Sequence, residues 1–242
     1  MNDAVKRAMM VALLACTAGC GSTGQELTSF PVHGAGTGER SFEKDGWTVT
    51  LERADVAFGP VYFCATSFAD MDACPEANAE WLGTATVDAL SSDLQMLGDA
   101  GAVTGTVRTA MFDYGRSWLL TEERVRASEA APGGHSAVFV ARIEKDAVRL
   151  EVRASVDVNP ATAGQSAVIG APTGTQAIEG NEALVVRFDP AAWWKGVDFD
   201  RVVSLDEDGD GVVELARGDD GYETLVIAMT ARRLPSFEWM QP

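Results

Sequence analysis

The chain has 242 residues, of which 46% are hydrophobic and 23% charged, and this ordinary composition excludes collagen-like, coiled-coil and wholly disordered proteins. With 36 acidic and 19 basic residues the formal net charge is −17. Such a surface is a poor partner for nucleic acid, whose phosphates need a basic face. The chain holds just two histidines, His33 and His135, which nearly excludes multi-histidine metal sites.

The first 19 residues predict an export signal. Two basic residues precede an apolar stretch (8–15) that is too short to span a membrane and is followed by small residues. The run Thr17-Ala18-Gly19-Cys20 resembles the lipobox of bacterial lipoproteins, although that family prefers Leu where this chain has Thr17. The resemblance implies cleavage before Cys20 and acylation of its thiol and new amino group. Lipidation at Cys16 and an ordinary signal peptide are the alternatives.

The remaining chain is predicted to form a tether and one domain. Residues 20–29 comprise the lipidated cysteine and a small, polar, flexible segment, and residues 30–242 form the folded domain. Once Cys16 leaves with the signal and Cys20 is lipidated, Cys64 and Cys74 are left as an even pair. In an oxidising compartment we expect these two to form a disulfide. A two-cysteine metal or redox site is the alternative, although the spacing is not that of a Cys-x-x-Cys motif.

The first half of the domain reads as a series of strands. Apolar and polar residues alternate over 47–52, and an apolar run over 61–64 follows a Gly-Pro pair. A third strand is predicted over 103–111. The clearest element is a hairpin over 138–158. Apolar and polar residues alternate strictly over the eleven residues of its second half, as expected of an antiparallel strand with one solvent-exposed face.

The second half of the domain combines a loop, strands and one helix. The Gly-, Ala-, Ser- and Thr-rich segment 159–180 predicts a long loop, and 184–188 predicts a strand that ends before a proline. Apolar residues at helical spacing over 222–233 predict a short amphipathic helix, and 235–239 adds an edge strand. The whole pattern predicts a mainly β protein, an antiparallel β-sandwich with one short C-terminal helix. A division into two domains near 159–180 is the alternative.

Residues 206–214 carry the strongest local motif, Asp-Glu-Asp-Gly-Asp-Gly-Val-Val-Glu. Its alternating carboxylates and turn glycine resemble the first half of an EF-hand calcium loop. The resemblance implies five ligands, with side chains from the aspartates, a carbonyl at the fourth position and a direct or water-mediated carboxylate at the fifth: Asp206, Asp208, Asp210, Val212 and Glu214. Arg217 stands where the family has a bidentate Glu, so we expect weak, structural calcium binding, at about 10⁻⁴ to 10⁻³ M. A solvated acidic turn is the alternative.

Two adjacent tryptophans, Trp193 and Trp194, are predicted to contribute to an exposed binding surface, because adjacent residues rarely both face the core. Exposed aromatic rings provide flat platforms for sugars or protein partners. Neither a Gly-x-Ser-x-Gly nor a His-Glu-x-x-His motif occurs in the chain, so we expect no catalysis of those types.

Short segments across the chain carry two further resemblances. The segments 46–51, 59–64, 187–190 and 235–239 resemble a group of uncharacterised bacterial lipoproteins. The segments 107–114 and 188–199 resemble β-sandwich copper proteins associated with methanobactin. The second resemblance implies a sandwich more than an activity, since copper binding in that family draws on histidine.

These observations predict a lipid-anchored protein of the cell envelope, with a binding or structural role, calcium as its ion and no catalysis. Gly21 after Cys20 is compatible, by resemblance to other lipoproteins, with delivery to the outer membrane. Beyond the membrane itself, the expected partner is another envelope protein or a glycan. The alternatives are periplasmic copper handling through His33 or His135 and hydrolysis of glycans.

Overall fold

The computed structural model describes residues 24–67, 74 and 77–241. The predicted signal peptide and Cys20 therefore lie outside the described residues. Within the described part, no helix combines the length and the apolar character needed to cross a membrane.

About half of the described chain is β-structure, and a much smaller share is helical. The strands, in chain order, are β1 (Leu27–Gly36), β2 (Ser41–Lys44), β3 (Trp47–Phe58), β4 (Val61–Cys64), β5 (Ala77–Trp81), β6 (Ala85–Asp88), β7 (Gln95–Val103), β8 (Gly105–Phe112), β9 (Arg116–Ser117), β10 (Arg126–Ala127), β11 (Ala137–Lys145), β12 (Val148–Val156), β13 (Val168–Ile178), β14 (Ala183–Phe188), β15 (Val212–Leu215) and β16 (Ser236–Met240). The helices are α1 (Pro190–Trp194), α2 (Phe199–Val203) and α3 (Asp220–Ile227), which continues into a π-helical turn (Ala228–Arg232). The predicted mainly β fold with a short C-terminal helix is confirmed.

All strands except β9 and β10, which pair with each other, belong to two large sheets. The larger sheet has the order β13-β8-β4-β5-β7-β1-β14-β16, and the smaller has the order β15-β12-β11-β3-β2, with β6 also paired to β3. The pairs β1–β14 and β12–β15 run parallel, whereas the other pairings in these sheets are antiparallel. The predicted antiparallel sandwich is therefore correct in outline, with one parallel junction in each sheet.

The interior between the two sheets is apolar and aromatic. Along β12, Leu150, Val152, Ala154 and Val156 are buried, as the strict alternation over this segment predicts. The ring of Phe58, from β3 of the smaller sheet, lies 5.2 Å from the ring of Phe112 on β8 of the larger sheet. The two sheets therefore share one hydrophobic core.

The predicted loop over 159–180 is wrong, because most of its second half forms strand β13. This strand lies at the end of the larger sheet and pairs with β8 through a register that shifts on both sides of Pro172. An edge position tolerates a proline and bulges, since one side of the strand needs no partner. Glycine, alanine and proline between Ile169 and Thr173 interrupt the β-branched pattern by which a strand is usually recognised.

Three other boundaries differ from the predictions. The folded part begins at Leu27, inside the predicted tether. The single strand predicted over 103–111 is two strands, because the chain turns at Thr104 between β7 and β8. Helices α1 and α2 were not predicted: each has five residues, too few for a visible periodicity, and each begins behind an aspartate whose side chain accepts a backbone N–H.

Candidate functional site

The acidic motif lies in the loop between α2 and β15, at the end of the smaller sheet. One carboxylate oxygen from each of Asp206, Asp208 and Asp210 lies within 4.8 Å of the other two. The backbone draws them together because Gly209 takes a positive φ of 71°, which permits a sharp turn. Val212, the first residue of β15, donates its N–H to Asp210 Oδ1 at 2.8 Å. The three aspartates predicted as calcium ligands therefore lie close together, and their binding of an ion stays a prediction.

Asp206 has an unsatisfied oxygen at this point. Its Oδ1 is buried and accepts no hydrogen bond within the described part of the chain. A buried acceptor without a partner costs about 1 to 3 kcal/mol, more when it is charged. A cation among the three carboxylates would offset the negative charge of the Asp206 carboxylate, and an all-oxygen donor set suits calcium.

The remaining predicted ligands are less favourably placed. Glu214 does not belong to the carboxylate group; its Oε1 instead accepts a 3.2 Å hydrogen bond from Arg153 on β12. The reason is the period of two along β15: Val213 and Leu215 are buried, so the side chain between them must face outward. Any ion in the loop therefore relies on the three aspartates, a backbone carbonyl such as that of Val212, and water.

Two further carboxylates near the loop exit are also engaged elsewhere. Asp219 Oδ2 accepts the N–H of Ala216 at 2.7 Å, and Asp220 forms an ion pair with Arg201 on α2. Neither belongs to the carboxylate group. The bidentate ligand that the EF-hand family places at the end of its loop therefore has no replacement among these residues.

The predicted disulfide is confirmed. The sulfur atoms of Cys64 and Cys74 are 2.04 Å apart, and the Cα–Cα distance is 5.4 Å. Cys64 ends β4, so the bond ties the following segment to the larger sheet.

The predicted exposure of the tryptophan pair is wrong. Trp193 and Trp194 are both fully buried. Both rings pack against Phe139 of β11, and Trp194 also stacks on Phe199 of α2. The indole N–H of Trp193 donates to the carbonyl of Arg233 at 2.6 Å. Strand β11, helix α2 and the segment after the π-helical turn contact the pair, so adjacent residues of α1 both reach the core.

The two histidines do not form a metal centre with the acidic loop. His135 Nδ1 lies 2.9 Å from Asp157 Oδ1, and Arg116 contacts the same oxygen at 3.2 Å. His33 lies on β1 and belongs, like His135, to no group of three or more metal-ligating side chains among the described residues.

A second candidate site, absent from the sequence predictions, is a cleft of about 380 Å³ beside the end of β8. We call it the Asp113 cleft, and its lining includes Tyr62, Leu82, Asp113, Trp118, Leu119 and Ser166. An adjoining hollow of about 310 Å³ shares Tyr62 and Ser166 and adds Glu80.

Sheet register explains how the charged groups of the Asp113 cleft meet. Glu80 of β5, Tyr62 of β4 and Met111 of β8 are direct neighbours across three strands. Asp113 follows Met111 by two positions and immediately follows β8. The side-chain period of two along a strand places Asp113 on the same side as Met111.

Asp113 is unusual for a carboxyl group in its solvation. It is 3% exposed, and its Oδ1 accepts a 2.7 Å hydrogen bond from the N–H of Ala167. Burial raises the pKa of Asp113 to about 7, against a smaller lowering by that hydrogen bond. Burial also raises the pKa of Tyr62, and the negative charges of Glu80 and Asp113 raise it further. The potential at the tyrosine hydroxyl is therefore negative.

The signal for this site in the sequence is slight. Asp113 is a single acidic residue inside the apolar run Ala110-Met111-Phe112-Asp113-Tyr114. An aspartate at the end of a strand in such a run is a candidate for burial. The residues that form a cleft around it come from other strands and loops, and the local sequence does not identify them.

The fold and its two sites define a class: a disulfide-bonded, mainly β sandwich with a carboxylate loop at the end of one sheet and a carboxyl-bearing cleft on the other. No protein-family model, curated protein or solved structure matches the chain. Function is therefore derived from the residues themselves.

Proposed function

We propose that this chain is a lipid-anchored protein of the cell envelope, attached through Cys20, with a binding or structural role and no catalysis, whose acidic loop is stabilised by calcium. The observation that carries the cellular setting is the disulfide between Cys64 and Cys74. Disulfides persist in oxidising compartments, and a lipobox-like segment accounts for how the chain would reach one.

The spacing between the anchor and the domain supports a position close to the membrane surface. Strand β1 begins at Leu27, seven residues after Cys20. A segment of this length reaches at most about 25 Å when fully extended. Acyl chains contribute about 0.8 kcal/mol per buried methylene, so several chains hold the protein without a spanning helix.

The anchor is tested with two matched serine variants in the native host. Expressed with a labelled fatty acid, the wild type and Cys16→Ser should incorporate label and fractionate with membranes, because their lipidated cysteine is intact. Cys20→Ser should lose both properties. Loss in Cys16→Ser with retention in Cys20→Ser would move the anchor to the rival cysteine, and absence of label in all three would contradict the anchor.

The support for calcium is the buried, unpartnered Asp206 Oδ1 beside the carboxylates of Asp208 and Asp210. With three carboxylates and no bidentate glutamate, we expect a dissociation constant of about 10⁻⁴ to 10⁻³ M. The ion would retain several waters, because the protein offers fewer oxygens than calcium prefers. Its role would be structural, since the loop leads directly into β15, which pairs with β12.

Thermal unfolding tests this site. At about 10 mM calcium, ligand binding to the folded state alone should add about 1.4 to 2.7 kcal/mol, or a rise of several degrees in Tm, relative to EDTA. Magnesium should give less, because it demands tighter octahedral geometry. Asp208→Asn should abolish the gain, whereas Asp99→Asn, an exposed change of equal charge on β7, should retain it. An unchanged Tm in the wild type, or an equal gain in Asp208→Asn, would overturn the calcium site.

A further inference from the structure

Among the described residues, none that lines the Asp113 cleft carries a positive charge. No lysine or arginine lines the cleft or its adjoining hollow, and among the described residues Asp113 forms no ion pair. The charged groups among the described lining residues are the carboxyls of Asp113 and Glu80, with Tyr62 between them in the sheet. An anionic ligand would be repelled by this arrangement.

The hydrogen bond that Asp113 makes within the fold does not require an ionisable side chain. The hydrogen bond that its side chain accepts from Ala167 ties the segment before β13 to the end of β8. An asparagine carbonyl would accept the same bond without the penalty of a buried carboxylate. A cation beside a carboxylate at 3% exposure offsets part of its desolvation cost, and the described lining residues supply no such cation.

The remaining lining suits the organic part of such a cation. Tyr62 and Trp118 offer aromatic rings, and the faces of such rings attract ammonium groups. Leu82 and Leu119 are 61% and 56% exposed at the same cleft and form an apolar rim. A volume of about 380 Å³ lies within the range of small-molecule sites.

We propose that the Asp113 cleft binds an organic ammonium ion, with the Asp113 carboxylate as its counter-charge, Glu80 adding to the negative field, and the leucine rim covering the hydrocarbon part. This site is separate from the acidic loop and does not rest on calcium or on the lipid anchor. Its failure is therefore distinguishable from failure of the proposed function.

Protonation sets the expected pH dependence. Within the part of the chain that the structure describes, the titratable groups that face Asp113 are Tyr62 and, beyond it, Glu80. The lining segments 82–84, 117–119 and 164–167 contain no titratable side chain. Below about pH 7 Asp113 carries a proton, so binding an ammonium ion must release that proton to solvent. Affinity should therefore rise as the pH increases through about 7 and then level off.

The test uses benzylamine, charged at neutral pH, and benzyl alcohol, its neutral counterpart of nearly equal size. Fragments of this size should bind at about 1 mM, measured by amide chemical shifts in two-dimensional NMR. Benzylamine should shift amides around Tyr62, Ser166 and Ala167, at least tenfold more tightly than benzyl alcohol. Its affinity should be at least tenfold lower in Asp113→Asn and unchanged in Asp146→Asn, an exposed change of equal charge at the turn between β11 and β12 in the other sheet.

Three outcomes would overturn the proposal. The first is equal affinity for the amine and the alcohol, which would indicate a neutral polar ligand such as a sugar. The second is unchanged benzylamine affinity in Asp113→Asn, which would indicate unspecific attraction to an acidic surface. The third is the absence of shifts around the Asp113 cleft at about 10 mM of probe.

Discussion

The acidic loop and the Asp113 cleft both present carboxylates, but they differ in solvation and in how they are assembled. In the loop, three aspartates come from five consecutive residues at the end of the smaller sheet, and two of them, Asp208 and Asp210, are exposed. In the cleft, Asp113 is buried and its neighbours Tyr62 and Glu80 come from other strands. The number of carboxylates at a site therefore does not indicate how much they destabilise the folded state.

Solvent access explains the difference. Two unit charges about 4 Å apart interact by about 1 kcal/mol in bulk water, so water and salt moderate the repulsion within the loop. A buried carboxyl group lacks that relief and shifts its pKa instead, as Asp113 does. The same substitution, Asp to Asn, should consequently have unequal effects at the two places.

The largest expected effect is the change in unfolding free energy that Asp113→Asn produces at alkaline pH. Because the pKa of Asp113 is raised from 3.8 to about 7, the folded state binds more protons than the unfolded state between these values, and the contribution of this group to stability falls as pH rises. At about pH 8 the variant should exceed the wild type in unfolding free energy by up to about 4 kcal/mol, and near pH 4 the difference should nearly vanish. Urea unfolding at several pH values measures both.

The matched variant for this measurement is Asp99→Asn, which should follow the wild type within about 0.5 kcal/mol across the same range. A constant difference between Asp113→Asn and the wild type at all pH values would contradict the raised pKa. It would indicate a simple packing effect at the end of β8.

The next effect concerns the disulfide, which lies on the side of the cleft. Removing both sulfurs with Cys64→Ala and Cys74→Ala opens a loop with a sequence separation of 10, and the chain-entropy model gives a loss of about 2.5 to 3 kcal/mol. Cys74 lines the adjoining hollow with Tyr62 and Glu80, so amide hydrogen exchange should increase there. Exchange around Val212 should not change. The expectation would be contradicted if the double variant and the wild type had equal unfolding free energies, both in the absence and in the presence of reductant.

The smallest effect is expected at the loop in the absence of calcium. Asp208→Asn removes one exposed charge from the group and should change the unfolding free energy by no more than about 0.5 kcal/mol in EDTA. A loss of several kcal/mol in EDTA would show that the loop carboxylates are structural without an ion. The difference between the effects of Asp208→Asn and Asp113→Asn on the unfolding free energy measures how much burial changes the energetic cost of a carboxylate.

Much of the fold was predictable because it is encoded locally. Strict alternation defined the β11–β12 hairpin, and helical spacing of Leu225, Val226 and Met229 matched α3 and the π-helical turn. Strand β13 was not predicted, because its small residues and Pro172 interrupt the usual alternation of apolar and polar residues. Its strand conformation depends on pairing with β8. The burial of Trp193 and Trp194 likewise depends on what lies around them, not on their spacing.

By itself, the sequence determined the mainly β class, the pairing of Cys64 with Cys74 and the grouping of Asp206, Asp208 and Asp210. Each of these follows from alternation along a strand, from an even number of remaining cysteines, or from neighbours in one loop. Tertiary structure alone decided that Glu214 turns away to Arg153 and that Asp113 meets Tyr62 in a cleft. Contacts between strands far apart in sequence, and the solvent exclusion that they produce, have no counterpart in local spacing.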